Sequence, residues 1–231
     1  MSLKVAILQS NYIPWKGYFD IIHDVDYFVF YETVQYTKND WRNRNKIKTR
    51  HGTCWLTVPT GTDLGRQIYE VRIADAHWQK KHWKTIAQYY SKAPYFSRYQ
   101  DFFKSVFLEK KWETLTELNQ FLIKSIAREF LGMTTQFADS REYTHVGDKQ
   151  ERLINLLKAT GATTYVTGPA GKAYIDEAKF RAAKIDVVYK SYAGYPEYPQ
   201  FHPPFDHFVS IIDLLFQVGP DSPYFIWGWR E

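Results

Sequence analysis

The strongest constraint on the fold is the order of elements between Lys4 and Tyr31. A short apolar run predicts a strand over residues 4–9, and helical spacing of apolar residues predicts a helix over 17–24. Aromatic and β-branched residues then predict a second strand over 27–31. Strand, turn, helix and strand in this order are typical of the βαβ units that build parallel sheets.

The same alternation returns in the last third of the chain, whereas the middle is helical. The segment at about 76–132 carries three amphipathic stretches, which we interpret as a helical insertion. We therefore expect a single α/β domain over residues 1–231, with a mainly parallel, Rossmann-like sheet. The remaining predicted strands are 55–59, 68–73, 135–140, 163–167 and 187–192, and the remaining predicted helices are 148–160 and 176–184.

Composition limits the classes of function. The net charge of +5 and the pI of about 9.0 favour an anionic ligand but are too small to indicate a nucleic-acid-binding protein. The single cysteine permits no disulfide within the chain, which fits a cytoplasmic location. No apolar run approaches the length of a membrane span, and the N-terminal run is too short for a signal peptide.

The turn after the first strand, QSNYIPWKGYF at residues 9–19, is rich in aromatic residues. Ligands of open parallel sheets bind beyond the carboxyl ends of the strands, so this turn is a candidate binding wall. Gly17 permits close approach of a ligand to the backbone. Burial of the sheet edge explains the same aromatics equally well. The candidate side chains are Gln9 and Asn11 for hydrogen bonds, and Tyr12, Trp15 and Tyr18 for stacking on a base or a sugar.

The form of this turn resembles the opening of nucleotidylyltransferases. Their turn reads P-x-H-x-G-H, and here Pro14, Gly17 and the surrounding strand and helix match that form. Trp15 and Tyr18 stand where those enzymes have histidines that stabilise phosphate charge. Neither Trp nor Tyr can supply a cation, so the resemblance implies the fold and leaves nucleotidyl transfer by the usual mechanism in doubt.

A second unusual segment is basic. Arg42, Arg44, Lys46, Lys48 and Arg50 occupy alternate positions, which places them on one face if the segment is extended. Trp41 and Asn43 then lie on the other face. Five like charges on one face favour an anion site, with the two arginines as the bidentate phosphate partners. The alternative is a solvated edge strand protected by its charges.

Together these segments resemble the WbqC-like protein family. The match runs from residue 4 to about 219, with Ser10 in place of a usual proline and Glu32 in place of a common aspartate. The matching pieces are QSNYIPWKGYF at 9–19, TVQY at 33–36, WRNRNKI at 41–47, WLTVP at 55–59, the 78–96 helix with its final Tyr-Phe, and SIIDLLF at 210–216 with Gly219.

The resemblance implies a pathway more than a mechanism. Such proteins are associated with gene clusters for bacterial O-antigen and other surface polysaccharides, which implies a transferase that attaches an amino acid such as glycine, or another acyl group, to an amino sugar. A non-catalytic nucleotide-sugar or partner-binding protein is the first alternative, and a nucleotidylyltransferase is the second.

The predicted site binds an anionic small molecule or a sugar nucleotide. The candidate cofactor is a nucleotide or nucleotide-linked donor, and no His or Cys spacing indicates a metal. The sequence nominates no catalytic residue and leaves the oligomeric state open. The full set of predicted ligand-binding residues is Gln9, Asn11, Tyr12, Trp15, Gly17, Tyr18, Gln35, Trp41, Arg42, Asn43, Arg44, Lys46, Gln200 and Asp213.

Overall fold

A five-stranded parallel sheet forms the centre of the molecule. The computed structural model describes residues 2–63 and 65–230. The strands of this sheet are β1 Lys4–Leu8, β2 Tyr27–Phe30, β5 Gln136–Asp139, β6 Thr164–Thr167 and β7 Asp186–Tyr189, and a separate antiparallel hairpin contains β3 Arg44–Thr49 and β4 Gly52–Thr57. The strand order is β5-β2-β1-β6-β7, so the first strand lies in the middle, with Val5 opposite Tyr27 on one side and Tyr165 on the other.

Helices cover both faces of this sheet, which confirms the predicted Rossmann-like α/β fold. The helices are α1 Lys16–His23, α2 His77–Tyr90, α3 Phe96–Lys104, α4 Leu115–Ser125, α5 Lys149–Thr160, α6 Glu177–Ala182 and α7 Ile211–Val218. Strand residues alternate between the two faces of the sheet. Val5 and Ile7 pack with α5 and α6, whereas Ala6 packs on the opposite face with α1 and α7.

Local signals in the sequence set several helix ends. The Asp148 carboxylate accepts from the backbone N–H of Glu151, whose side chain accepts from the N–H of Asp148, so α5 begins with a capping box. Gly161 ends the helix in the left-handed conformation, at φ 78°. At α7, the Ser210 hydroxyl caps the N–H of Ile212. The two ends of α5 agree with the helix that the sequence predicts over residues 148–160.

The helical segment 77–130 packs into the core on the α1 face of the sheet. Helices α3 and α4 each continue into a π-helical turn, at Ser105–Glu109 and Ile126–Phe130. The ring of Phe216 in α7 packs against this segment, with its centroid 5.6 Å from that of Tyr90 and 5.1 Å from that of Phe96. The three helices thus follow the prediction, and the single-domain organisation stays a prediction.

One predicted strand is wrong. Residues 68–73 alternate in polarity, yet Ile68–Glu70 forms a 3-10 turn. The reason is local: Gln67 and Glu70 form a capping box, and the backbone N–H of Ile68 is bound to the carbonyl of Val34. None of the helices within residues 2–63 and 65–230 has the length and apolar character needed to cross a membrane.

Candidate functional site

The turn at residues 9–19, called the opening turn below, lies at the carboxyl end of β1, and the rings of Tyr12, Tyr18 and Phe19 belong to the core. Tyr12 is fully buried, and its hydroxyl hydrogen-bonds Nδ1 of His82 at 2.8 Å. Burial lowers the pKa of His82 to about 3, so the ring is neutral. Tyr18 is also buried, and its hydroxyl donates to the carbonyl of Gln9 at 2.9 Å. Neither tyrosine presents a ring face to a ligand in this structure.

Trp15 is the aromatic residue of the turn that remains half-buried. Its indole folds over Gly17, where an added Cβ would lie only 2.2 Å from the ring. Its ring centroid lies 4.9 Å from that of Tyr192 and 5.1 Å from that of Phe208, which is itself exposed. Glycine at position 17 is therefore required by the indole of this chain, which occupies the space beside the start of α1.

The turn contains a strained backbone position that the hairpin holds in place. Ile13 has φ of 40°, a left-handed value that is unusual for a β-branched residue. The Asn45 side-chain amide donates to the carbonyls of Tyr12 and Ile13, at 3.1 and 2.8 Å. The N–H of Tyr12 also donates to the carbonyl of Trp41 at 2.9 Å. The turn and the hairpin are thus one hydrogen-bonded unit, and strain of this kind is characteristic of functional sites.

The basic segment is only partly a strand, which corrects the prediction. Strand β3 begins at Arg44, so Arg42 lies in the preceding turn, and Arg50 lies in the turn of the hairpin. The Asp40 carbonyl accepts from the backbone N–H of Asn43 and closes the first turn, which is why the extended conformation starts late. The alternation therefore places Arg44, Lys46 and Lys48 on one face of β3.

These three cations differ in their partners. Lys46 Nζ forms a salt bridge with Asp206 at 2.8 Å, and Lys48 Nζ donates to the carbonyl of Pro204. Partial burial acts to raise the pKa of Asp206, but the hydrogen bonds from Lys46 and the Phe208 N–H, together with the charges of Lys46 and Lys48, lower it. Arg44 contacts no carboxylate among the described residues, and its guanidinium lies 4.4 Å over the ring of Trp55. Its Nε is enclosed without a hydrogen-bond acceptor.

Arg42 and its neighbours are more constrained. The Arg42 guanidinium is paired with Asp40, although its Nε also lacks a partner. Asn43 is buried and donates to the carbonyl of Val58 at 2.9 Å. The side-chain oxygens of Asn11, Asn43 and Asn119 are enclosed and have no partner among the described residues. Unsatisfied buried polar atoms are rare in native proteins, so this group beside the turn makes the region a candidate binding site.

Asp213 and Gln200, two of the predicted ligand-binding residues, hold the segment 195–208 over the candidate site. Asp213 in α7 is fully buried, and its carboxylate accepts from Tyr198 and Gln200, both at 2.6 Å, and from Tyr90 at 2.7 Å. Burial raises the pKa of Asp213 even against these hydrogen bonds. Gln200 also binds the backbone of Asp206. Gln35, by contrast, is exposed and forms an isolated backbone bridge with Gln67.

Sequence reasoning missed Lys16, at the first position of α1. Its side chain is only 2 % exposed, and Nζ donates to the carbonyl of Pro196 at 3.3 Å. The same atom lies 4.7 Å from the ring centroid of Tyr195 and 5.5 Å from that of Tyr198, with no carboxylate of the described residues at ion-pair distance. Burial lowers its pKa to about 8, although Asp20 and Asp213 act in the opposite direction. The sequence near position 16 does not indicate this burial, because the residues that cover Lys16 lie about 180 positions later.

A separate groove of about 1280 Å³ lies at the other edge of the sheet, beside the amino ends of the strands at Lys4, Gln136 and Thr164. It is bordered by His23 and Trp227, whose rings stack at 4.1 Å. Lys190 and Arg230 in its wall are neutralised by Asp20 and Asp24. None of the residues predicted from the sequence lines this groove. No group of three His, Cys, Asp or Glu side chains in the part of the chain described is placed to hold a metal ion.

The fold and this arrangement define a Rossmann-like α/β protein with a cationic, aromatic site beyond the first strand. The model of the WbqC-like protein family matches residues 9–224. A protein of Mycobacterium tuberculosis, named uncharacterized protein Rv1507c, is 43% identical over 225 residues, which cover 96% of this chain and 97% of that protein. The chain therefore belongs to the WbqC-like protein family. No solved structure matches it.

Proposed function

We propose that this protein is a transferase of bacterial surface-polysaccharide synthesis that uses a phosphate-bearing activated donor. It attaches an amino acid such as glycine, or another acyl group, to the amine of an amino sugar, and it acts in the cytoplasm. Family membership supports the pathway. The observation that supports the donor class is Arg44, whose guanidinium lies 4.4 Å over the ring of Trp55 and has no carboxylate partner among the described residues. A preorganised, unpaired guanidinium suits a phosphate.

Acyl transfer also requires a base. The acceptor nitrogen forms the new bond to the acyl carbon, the phosphate-bearing group leaves with the electron pair of the broken bond, and a base removes the proton of the amine. We assign this proton to Lys16, because a pKa of about 8 leaves part of the amine unprotonated near neutral pH. Pro196, Tyr195 and Tyr198 cover Nζ in the structure, so the substrate reaches it when this segment moves.

A second function, binding without catalysis, is favoured by the start of α1. Trp15 and Tyr18 occupy the two positions where nucleotidylyltransferases have histidines, and the Tyr18 hydroxyl is engaged by Gln9. Nucleotidyl transfer by that mechanism therefore lacks its phosphate-stabilising cations. A protein that only binds a sugar nucleotide for a partner performs no nucleotidyl transfer and does not need those histidine cations.

Ligand binding tests the donor site. We expect inorganic pyrophosphate and nucleoside diphosphates to raise the melting temperature at low salt, since a ligand at a hundred times its Kd stabilises a fold by about 2.7 kcal/mol. Arg44→Ala should abolish the shift. Arg98→Ala is the matched control, because Arg98 also lies over an aromatic ring, that of Tyr99, but in α3. No shift with any phosphate compound, or equal loss in both variants, would contradict the donor site.

Turnover separates the transferase from the binder. Wild-type protein is incubated with an acyl phosphate or an aminoacyl adenylate and with increasing amounts of glucosamine. We expect phosphate or nucleotide to be released in proportion to the added glucosamine, and the N-acylated sugar to be detected by mass spectrometry. Arg44→Ala should lose turnover and retain its fold. Ligand binding without any product, across the same donors, would favour the non-catalytic function.

A further inference from the structure

Two tryptophans form an exposed pair beside the proposed phosphate site. Trp41 is 41 % exposed and Trp55 is 44 % exposed. Their ring centroids are 5.5 Å apart and their planes are inclined by 42°, so the two indoles contact each other and leave ring surface open to solvent. Large exposed aromatic side chains in mutual contact are typical of binding surfaces.

The two tryptophans lie next to positively charged side chains of the hairpin. Trp55 on β4 is the direct cross-strand partner of Lys46 on β3, and such partners have Cβ atoms about 5 Å apart. The guanidinium of Arg44 lies on the ring of Trp55 at 4.4 Å. A flat aromatic surface is therefore adjacent to two positive groups, within the length of one nucleotide.

We propose that the Trp41–Trp55 pair is the stacking platform for the base of a nucleoside diphosphate, with its phosphates on Arg44 and Lys46. This inference rests on the proposed function and names the chemical class of its donor. The indoles offer flat π surface to a base, and Arg can stack as well as bind phosphate. The platform is thus on the hairpin, whereas Tyr12 and Tyr18 of the opening turn are buried.

The charge of the site favours a single nucleotide over a nucleic-acid strand. Arg42 forms an ion pair with Asp40, and Lys46 forms one with Asp206. Arg44 is the cation beside the indoles that no carboxylate of the described residues neutralises. A strand would need a longer track of free cations to follow its backbone.

The test compares nucleotides with the phosphate group alone. Calorimetric Kd values are measured for inorganic pyrophosphate, uridine diphosphate and adenosine diphosphate with wild type, Trp41→Ala and Trp55→Ala. We expect the diphosphates of nucleosides to bind wild type about tenfold or more tightly than pyrophosphate does, because stacking adds to the phosphate contacts. Trp41→Ala should lose this difference and retain pyrophosphate binding, because it leaves the ring beneath Arg44 in place. Trp55→Ala also removes that ring and should weaken the binding of all three ligands.

Tyr224→Ala is the control, since Tyr224 is an exposed aromatic residue outside the hairpin. Equal affinity of wild type for pyrophosphate and the nucleotides would overturn the platform and leave the phosphate-bearing donor standing. Binding of neither would overturn the proposed function as well. Tight binding of a uridine oligonucleotide, with a steep salt dependence that mononucleotides lack, would show that the site binds a nucleic-acid strand and not the proposed donor.

Discussion

Replacement of Lys16 by Met should make the protein more stable at neutral pH. Burial lowers the pKa of this lysine from 10.5 to about 8, which means that the folded state opposes its charge. Each unit of pKa shift corresponds to about 1.4 kcal/mol, so the charge costs the fold up to about 3 kcal/mol. The ring contacts with Tyr195 and Tyr198 offset about 0.5–2 kcal/mol of this. Met fills a similar volume, and we expect a net gain of about 1–3 kcal/mol.

The pH dependence gives this prediction its specificity. Below about pH 8 the folded and unfolded chains both carry the proton, and the folded state bears the full cost. Between about pH 8 and 10.5 the unfolded chain binds the proton more strongly, so the stability of wild type rises with pH. The advantage of Lys16→Met should therefore be largest at pH 7 and should shrink progressively as the pH approaches 10.

Urea denaturation at pH 7, 8, 9 and 10 measures the difference, with Lys84→Met as the control because Lys84 is exposed on α2. The control should differ little from wild type at every pH. A Lys16→Met variant that is less stable than wild type at pH 7, or a difference that does not change between pH 7 and 10, would refute the argument that burial lowers this pKa.

Two further substitutions test the opening turn. Gly17→Ala places a methyl group against the indole of Trp15, and we expect a loss of about 1–3 kcal/mol in urea denaturation together with a change in tryptophan fluorescence; unchanged stability would show that the indole moves freely. Asn45→Ala removes the donor to the carbonyls of Tyr12 and Ile13, which should cost about 1–3 kcal/mol and weaken pyrophosphate binding; intact binding would show that the hairpin does not hold the turn.

The fold was predictable where local and periodic signals agree. The alternation of strands and helices specified the parallel sheet, and the cap at Asp148 and the stop at Gly161 specified α5. The strand predicted over 68–73 failed because alternation alone does not supply a neighbouring strand. In the hairpin, the basic residues alternate along a strand as predicted only from Arg44 to Lys48, because Arg42 and Arg50 lie in turns.

The chemistry of the site was less predictable, because its environment comes from distant parts of the chain. Lys16 follows a tryptophan and precedes a glycine in a turn, a context that normally leaves a lysine in solvent. It is buried by Tyr195, Pro196 and Tyr198, which lie about 180 residues later. Composition and spacing near position 16 carry no information about that segment, so neither the burial nor the lowered pKa of Lys16 follows from the sequence.

The hairpin connects the two halves of the proposed site, and Lys46 makes two of the contacts. The backbone carbonyl of Lys46 accepts from the N–H of Ser210 at 2.9 Å, which fixes the start of α7, while its ammonium holds Asp206. Asp206 is bound in turn by Gln200, in the same segment that covers Lys16. An anion that takes Lys46 competes with Asp206, because one ammonium cannot remain fully paired with both. We therefore expect a donor that binds Lys46 to disturb the segment that covers the proposed base.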